Sequence, residues 1–382
     1  MVNSKFKLPK NYITVPIIVS IILVIILVAV LTTGTCNLGK NNHLLLEGFQ
    51  NNLEVKQVKR PFVNFYDNYG NRLNVIGISK PFSDDSNEKE YNELVNDGNI
   101  VIGICSYLEF PNPVSSPFEN FDDNYNKYRY KEKCKAWLHG FRNPSLFFPP
   151  HVPNALISES DFIDCKINKP DPNVEKIYDF IYICLKQDEK KDVCDDWATY
   201  NKNWTLAKKC LKVMCEKYKL KGLLVGRKDC EIPNLCHTLM DSTNMLKHDE
   251  LKKSYQQSKF IFLPNYADAS PRVLSEAMAT GLPALINRNI LGGWKYINQN
   301  TGVFFNDEND IDLAINEMNN KLLRNEFRAR EEYINNYGPV NSGRRLKDFL
   351  YDKFGNQINI PVHNTDYITI DYPKTNYAQC EL

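Results

Sequence analysis

The sequence has no surplus of charge in either direction. Its 382 residues carry 47 Lys and Arg against 46 Asp and Glu, a formal net charge of +1. A broad nucleic-acid surface needs a strongly basic face, so a nucleic-acid partner is not expected. No internal repeat is visible, and the chain is read as ordinary domains, of which its length accommodates two. Only one N-x-S/T sequon is present, Asn203-Trp-Thr205, which marks Asn203 as a glycosylation candidate. Long apolar runs are confined to the N-terminus. There Tyr12–Leu31 is 20 residues without a charge, enough for a helix of roughly 30 Å, the hydrocarbon thickness of a bilayer. No clear A-x-A site follows it, so an uncleaved anchor is favoured over a cleaved signal peptide, the rival reading. Lys5, Lys7 and Lys10 precede the run and Lys40 is the next cation after it. The positive-inside bias then puts the N-terminus in the cytosol and the rest in a lumen or outside, a single-pass type II arrangement.

What is abundant is cysteine, and the eleven residues are an odd number that leaves at least one thiol unpaired or bonded to another molecule. They are compatible with disulfides in a lumen. A reducing compartment, with the cysteines as small buried hydrophobes, is the alternative. The elements read along the chain are strands at 62–66, 73–79 and 100–107, a helix at 86–96, a helix at 131–138 and a strand at 155–162. Lys169-Pro-Asp-Pro172 marks a linker. Strand and helix then alternate: 177–185, 206–218, 222–225, 249–257, 260–263, the helix that Pro271 opens and Gly281 ends, 284–286, 303–305, 310–323 and 324–336. Such alternation predicts a doubly wound parallel sheet. A terminal helix is read at 346–354, and the tail from Gly355 has no clear pattern.

The stretch Asp268-Ala-Ser-Pro-Arg-Val-Leu-Ser-Glu276, continued by Ala277-Met-Ala-Thr-Gly-Leu-Pro-Ala284, concentrates the chemistry. Ser270 suits an N-cap and Pro271 the first helical turn, while Gly281 suits the left-handed residue after the helix. Free N–H groups at a helix start attract phosphate, and the carboxylates Asp268 and Glu276 suit the hydroxyls of a sugar and a ribose. Pro271 and Glu276 lie roughly 7–8 Å apart along the axis, so the pair spans a nucleotide-sugar. Arg227-Lys228, Lys186 and Gly292-Gly293 follow other strands of the parallel sheet. Ligands of such sheets bind beyond the carboxyl ends of the strands, which makes the three basic residues candidate diphosphate partners and Gly292-Gly293 a donor-binding turn that allows close backbone approach. Asp310-Ile-Asp312 has the D-x-D form of a metal site, but it opens a helix and is read as N-capping.

Residues 176–325 resemble the nucleotide-sugar-binding domain of glycosyltransferases with the GT-B fold, in particular the retaining family 4. The pattern is a Glu, seven residues, a second Glu, then Ala-Met-Ala-x-Gly-x-Pro. The later Gly-Gly and x-Gly-x-Leu-Val segments match Gly292-Gly293 and Thr301-Gly-Val-Phe-Phe305. The resemblance implies two Rossmann-like domains with parallel sheets. The expected division is a cytosolic tail (1–11), an anchor (12–33), a stem (34–58), an acceptor-side α/β domain (59–168), a nucleotide-sugar domain (169–340), and a C-terminal helix and tail (341–382). It further implies that Glu276 binds ribose hydroxyls, that Asp268 holds the donor sugar, and that amides near Ser270, Pro271 and Arg272 hold the diphosphate. A hexose would pass, with retention and without a metal or cofactor, from a nucleotide-sugar to a glycan, lipid or protein. His139 and His151 are acceptor-side candidates. Asp268 departs from the pattern, being one methylene shorter than the family Glu. The first domain is also short. Both departures sustain an alternative: a catalytically degenerate GT-B protein acting as a membrane-tethered binding or scaffold module.

Overall fold

The computed structural model describes residues 58–106, 110–111, 127–186 and 194–371. The run Tyr12–Leu31 lies outside these residues, and among the described residues no helix is long and apolar enough to cross a membrane. The first part of the chain forms β1 (Phe62–Asp67), β2 (Arg72–Ile78), α1 (Asp85–Asn96), β3 (Ile100–Ile104), the single turn α2 (Tyr130–Lys133), β4 (Trp137–Leu138) and β5 (Asn154–Ala155). The next part forms β6 (Tyr178–Ile183), α3 (Trp197–Asn201), α4 (Trp204–Glu216), β7 (Gly222–Val225), β8 (Met240–Thr243), α5 (His248–Gln256), β9 (Ser258–Leu263), α6 (Arg272–Ala279), β10 (Ala284–Asn287), β11 (Gly302–Phe305), α7 (Ile311–Leu323) and α8 (Ala329–Asn336). Finally α9 (Gly338–Phe354) and β12 (Ile368–Ile370) close the described chain.

The later strands make one six-stranded sheet in the order β11-β10-β9-β6-β7-β8. All of its pairings are parallel. The pleat explains why its strands read as unbroken apolar runs. Phe180, Tyr182 and Cys184 of β6 and its end pack with α4 and α7 on one face. Ile181 and Ile183 pack with α6 and α8 on the other. With both faces covered, the inner strands need apolar side chains on both sides through most of their length.

The first sheet corrects the expectation of a wholly parallel one. Its order is β12-β1-β2-β3-β4-β5. β2 to β5 run parallel, whereas β1 is antiparallel to both β2 and β12. The C-terminal tail thus supplies an edge strand to the first sheet, and α9 packs beside it. Leu346, Leu350 and Phe354, four residues apart on one stripe of α9, bury against Val63, Phe65 and Ile102. The helix expected at 131–138 stops after one turn, because Trp137 and Leu138 are drawn into the sheet between β3 and β5. The strand expected at 155–162 is likewise two residues, followed by a 3-10 turn at Glu159–Phe162. β8, unread in the sequence, has only one buried residue in four.

Candidate active site

In the second sheet the strand register brings four loops to one edge. Parallel pairing places Ile183, Val225, Leu263 and Asn287 at the same ends of β6, β7, β9 and β10. Lys186, Arg227-Lys228, Asp268 and Gly292-Gly293 therefore emerge side by side, in the sheet order 292, 268, 186, 227.

The Asp268 loop is fixed from three directions. The Gly292 N–H donates to the Asp268 carbonyl at 2.8 Å. A Cβ on Gly292 would stand 1.9 Å from the Ala269 carbonyl oxygen, so only glycine fits. Gly292 thus serves loop-on-loop packing. The Asp268 carboxylate is buried, accepts from Asn265 Nδ2 at 2.8 Å and is ion-paired with Lys202. Lys202 sits in the turn between α3 and α4, where Asn203 takes the left-handed conformation at φ 52° and starts α4. Neither Lys202 nor Asn265 was singled out from sequence. The signal available for the lysine was Lys202-Asn203 directly before a helix, since Asn is one of the few residues that enter this conformation.

Helix α6 begins at Arg272, and no side chain caps it. This corrects the N-cap role expected of Ser270. Its hydroxyl instead accepts from the Ser160 N–H at 3.0 Å and bonds the Ser160 hydroxyl at 3.0 Å. The helix is stopped as expected, with Gly281 at φ 93°. One turn into α6 Glu276 is buried, and its Oε2 accepts from the Tyr255 hydroxyl at 3.1 Å. Burial raises the Glu276 carboxyl above the usual carboxylate range, while the Tyr255 bond and the Arg272 charge oppose that rise. Arg272 itself is exposed.

Arg227 does not face the site. Its side chain is wholly buried and donates to Asp196 Oδ1 at 2.9 Å, to the Cys194 carbonyl at 3.0 Å and to the Leu185 carbonyl at 3.3 Å. The guanidinium is spent on tying the loops after β6 and β7 together, beside the Cys194–Cys230 disulfide. Lys228 is exposed and Lys186 half-buried at the edge. Asp310 accepts from the Asn306 and Asp307 N–H groups, and Asp312 pairs with Lys217, so the D-x-D string is occupied by the protein. Among the described residues no group of three or more His, Cys, Asp or Glu side chains is placed to hold a metal ion.

This geometry has a known counterpart. The family model described as glycosyl transferases group 1 matches residues 198–338. Residues 198–338 are a glycosyltransferase domain. No curated protein sequence matches the chain. Solved structures agree on the architecture. Sucrose-phosphate synthase from Thermosynechococcus elongatus aligns with a TM-score of 0.51 at 13% identity, over 67% of this chain and 68% of that one. TarM aligns with a TM-score of 0.51 at 16% identity, over 73% of this chain but only 54% of its own length. The fold is GT-B, with two Rossmann-like sheets.

The first sheet presents its own loops to the glycosyltransferase domain. Ala269, next to Asp268, is part of the apolar cluster that holds Trp137, Phe141 and Phe148. His139 follows β4 and is buried. Its Nδ1 accepts from the Phe141 N–H at 3.1 Å, so Nε2 carries the proton and meets Asn154 Oδ1 at 3.2 Å. Burial, with help from the Lys295 charge, lowers its pKa to about 4. Both ring nitrogens are engaged, and the neutral ring shapes the loop. His151 is exposed in a turn and does not join it. The stretch 157–161 is largely buried. Asp161 is fully buried and accepts from Lys295 Nζ at 2.8 Å, from the Ser158 N–H at 3.2 Å and from the Tyr296 hydroxyl. Ser160 bonds both Ser270 and Tyr296, so the donor-side loop is keyed to the end of the first sheet. Asn203, the sequon residue, is half-buried.

Proposed function

We propose that the protein transfers a hexose, with retention, from a nucleotide-sugar to an acceptor, and that the membrane run at its N-terminus tethers it. The observation that carries the reading is the pair Asp268 and Glu276, both buried at the edge of a parallel sheet on either side of the start of α6. A buried carboxylate at such an edge is costly unless it meets hydrogen-bond donors. The hydroxyls of a sugar-nucleotide are suitable donors. Glu276 Oε1 makes no hydrogen bond among the described residues and is the acceptor for ribose hydroxyls. Asp268 takes the donor sugar.

The diphosphate lies over the uncapped start of α6, at the amides following Ser270 and Pro271. Lys202 stands beside it and replaces Arg227 as the cation of the site, with Lys186 at the neighbouring loop. In the transfer the bond from the anomeric carbon to the diphosphate oxygen breaks. The bond from that carbon to the acceptor oxygen forms on the same face, and the acceptor proton passes to the departing diphosphate. Lys202 and the helix amides stabilise the charge that develops on the leaving group. No metal ion is assigned a part. Extracytoplasmic placement is supported by the disulfides Cys194–Cys230 and Cys215–Cys236, which persist in oxidising compartments.

The test is calorimetric titration of the purified chain with a panel of nucleoside diphosphates. Glu276→Ala removes two charge-assisted hydrogen bonds, each worth about 1.5–3 kcal/mol, so affinity should fall at least ~100-fold. Unaltered nucleotide affinity in this variant would sink the assignment. Nucleotide binding without transfer or hydrolysis of any nucleotide-sugar would favour the scaffold reading instead.

A further inference from the structure

Among the described residues the Glu276 carboxylate is held by a single donor, and that donor comes from a different helix. Given the reading of Glu276 as the ribose acceptor, we infer that Tyr255 is its positioning residue. The Tyr255 hydroxyl engages Oε2 and leaves Oε1 alone to the ligand, so the site selects a ribonucleotide over a deoxyribonucleotide.

Helix α5 is largely polar, and Ser254 and Tyr255 are its buried residues. The Tyr255 ring is 1% exposed and packs in the cluster that holds Leu274, Ala277 and Met278 of α6 and its end. Its hydroxyl donates to Glu276 Oε2 at 3.1 Å, from 21 residues away along the chain. Burial and the Glu276 charge push the hydroxyl above its usual pKa, so it stays protonated and donates. The ring cannot turn this hydroxyl elsewhere without leaving a close-packed cluster.

Satisfying Tyr255 does not by itself account for a carboxylate at this place. A buried phenol needs one acceptor, and a backbone carbonyl supplies it elsewhere: Tyr182 donates to the Lys202 carbonyl and Tyr337 to the Lys295 carbonyl. A carboxylate has about four acceptor positions and is far costlier to bury. Here Tyr255 fills one of them. Arg272 and His248 are near enough for their charges to act on Glu276, but neither bonds it. Glu276 keeps 8% exposure, and Oε1 is not sealed from solvent. One oxygen is thus fixed from within while the other is open to a ligand.

A fixed and nearly buried acceptor separates a hydroxyl from a hydrogen. Ribose hydroxyls donate to it, whereas a deoxyribose leaves it unpaired, and a site built to bond a hydroxyl rejects the analogue that lacks it. The selection depends on Oε1 staying in place. Without the Tyr255 bond the carboxylate is free to rotate and recover water. Loss of that bond also removes the largest influence opposing the rise that burial imposes on the Glu276 carboxyl. The carboxyl then takes up a proton at higher pH and gives up its charge-assisted bonds there. Arg272, His248 and Tyr333 also interact electrostatically with Glu276; they are the same in both proteins and cancel in the comparison.

The experiment is calorimetric titration of the purified chain with uridine, adenosine and guanosine diphosphates and with the dideoxyribose form of each that binds, across a range of pH. Wild type should prefer the ribose form roughly tenfold or more. Tyr255→Phe should narrow that preference below roughly threefold and move the acid limb of nucleotide binding to higher pH. Tyr255→Met removes the hydroxyl with a more adaptable side chain and carries the same expectation. Both forms are titrated into one preparation, so partial unfolding lowers both affinities alike and leaves their ratio intact. Tyr178→Phe is the control. It deletes the bond from the Tyr178 hydroxyl to Asp241 Oδ2, 2.7 Å long at the opposite edge of the same sheet, and should change neither the preference nor the acid limb. A wild-type preference that the Tyr255 variants keep would overturn the role of Tyr255 and leave the ribose reading standing. An equal loss of preference in Tyr178→Phe would overturn it too, since general loosening would then suffice. Wild type that binds no nucleoside diphosphate, or binds both forms alike, would sink the ribose reading and the role of Tyr255 with it.

Discussion

Replacing Lys202 by Met tests the least expected part of the donor edge. Lys202 is ion-paired with Asp268, and their side chains are only 23% and 10% exposed. Removing one partner of a fully buried pair costs about 3–5 kcal/mol, because the other charge is left desolvated. Two features reduce that figure here. Asn265 Nδ2 still donates to the Asp268 carboxylate at 2.8 Å, and a quarter-exposed lysine leaves water a route to the carboxylate. A stability loss of about 2 kcal/mol is expected in urea unfolding. A structural role for Lys202 predicts that loss and nothing more. A role at the diphosphate predicts a second effect, the loss of a hydrogen bond to a charged group worth about 1.5–3 kcal/mol. Nucleoside diphosphate affinity in the folded variant should then fall about 10- to 100-fold, and its dependence on salt should flatten. Asp268→Asn provides the opposite case. It frees the ammonium from its carboxylate and should leave diphosphate affinity unchanged or tighter. Wild-type diphosphate affinity in folded Lys202→Met would refute the assignment of Lys202 to the leaving group.

Two further outcomes follow from the same structure. His139 is held neutral, with a pKa of about 4 against 6.5 in an unfolded chain. Its contribution to stability is therefore present above pH 6.5 and lost as pH falls towards 4. The gap is worth about 1.4 kcal/mol per pH unit, of which about 2 kcal/mol should be lost between pH 7 and pH 4.5. Urea unfolding of His139→Gln should show a shallower loss over that range, and an identical pH slope in the two proteins would contradict the buried neutral ring. The disulfides Cys194–Cys230 and Cys215–Cys236 close segments separated by 36 and 21 residues. Chain entropy assigns each about 3–4 kcal/mol. Cys215→Ala/Cys236→Ala should accordingly lower the melting temperature by several degrees, and an unshifted transition would show that the loop they close is ordered without them.

Much of the second sheet was legible because a parallel sheet covered on both faces leaves a plain pattern of apolar runs. Gly222–Val225 was read with its observed bounds, and the other strands that were read differ by one or two residues at their ends. β8 escaped because three of its four residues are not buried, so no apolar run marks it. The first sheet was less legible for a different reason. Its short strands β4 and β5 exist through pairing with β3 and with each other, and β12 joins β1 from 303 residues further along the chain, where Tyr66 opposes Thr369. Local propensity carries no trace of such a partner. At the site, the reading that put Asp268 beyond the end of its strand followed from strand order alone, and the Asp268 loop lies at that edge. The sequence reading failed for Arg227 and Ser270. Whether a side chain at a strand end turns out to the ligand or in to its neighbours depends on the loops it meets, here those of Asp196 and Ser160.

These two failures bear on the shortened carboxylate. Asp268 reaches one methylene less far than the Glu of the pattern, which taken alone suggests a weakened grip on the donor. The loop around it is instead drawn in. Gly292 lies hard against Ala269, and Ala269 is sunk in the aromatic cluster of the first sheet. Ser270, relieved of capping, fastens the same loop to Ser160. A carboxylate on so constrained a backbone gains in position what it lacks in length. Lys202 is ion-paired with it and fixes its orientation. The departure at position 268 is therefore one member of a set with Lys202, Ser160 and Gly292. Lengthening it to Glu, with the backbone still pinned, would push the carboxylate into Lys202 and Asn265 rather than restore a longer reach.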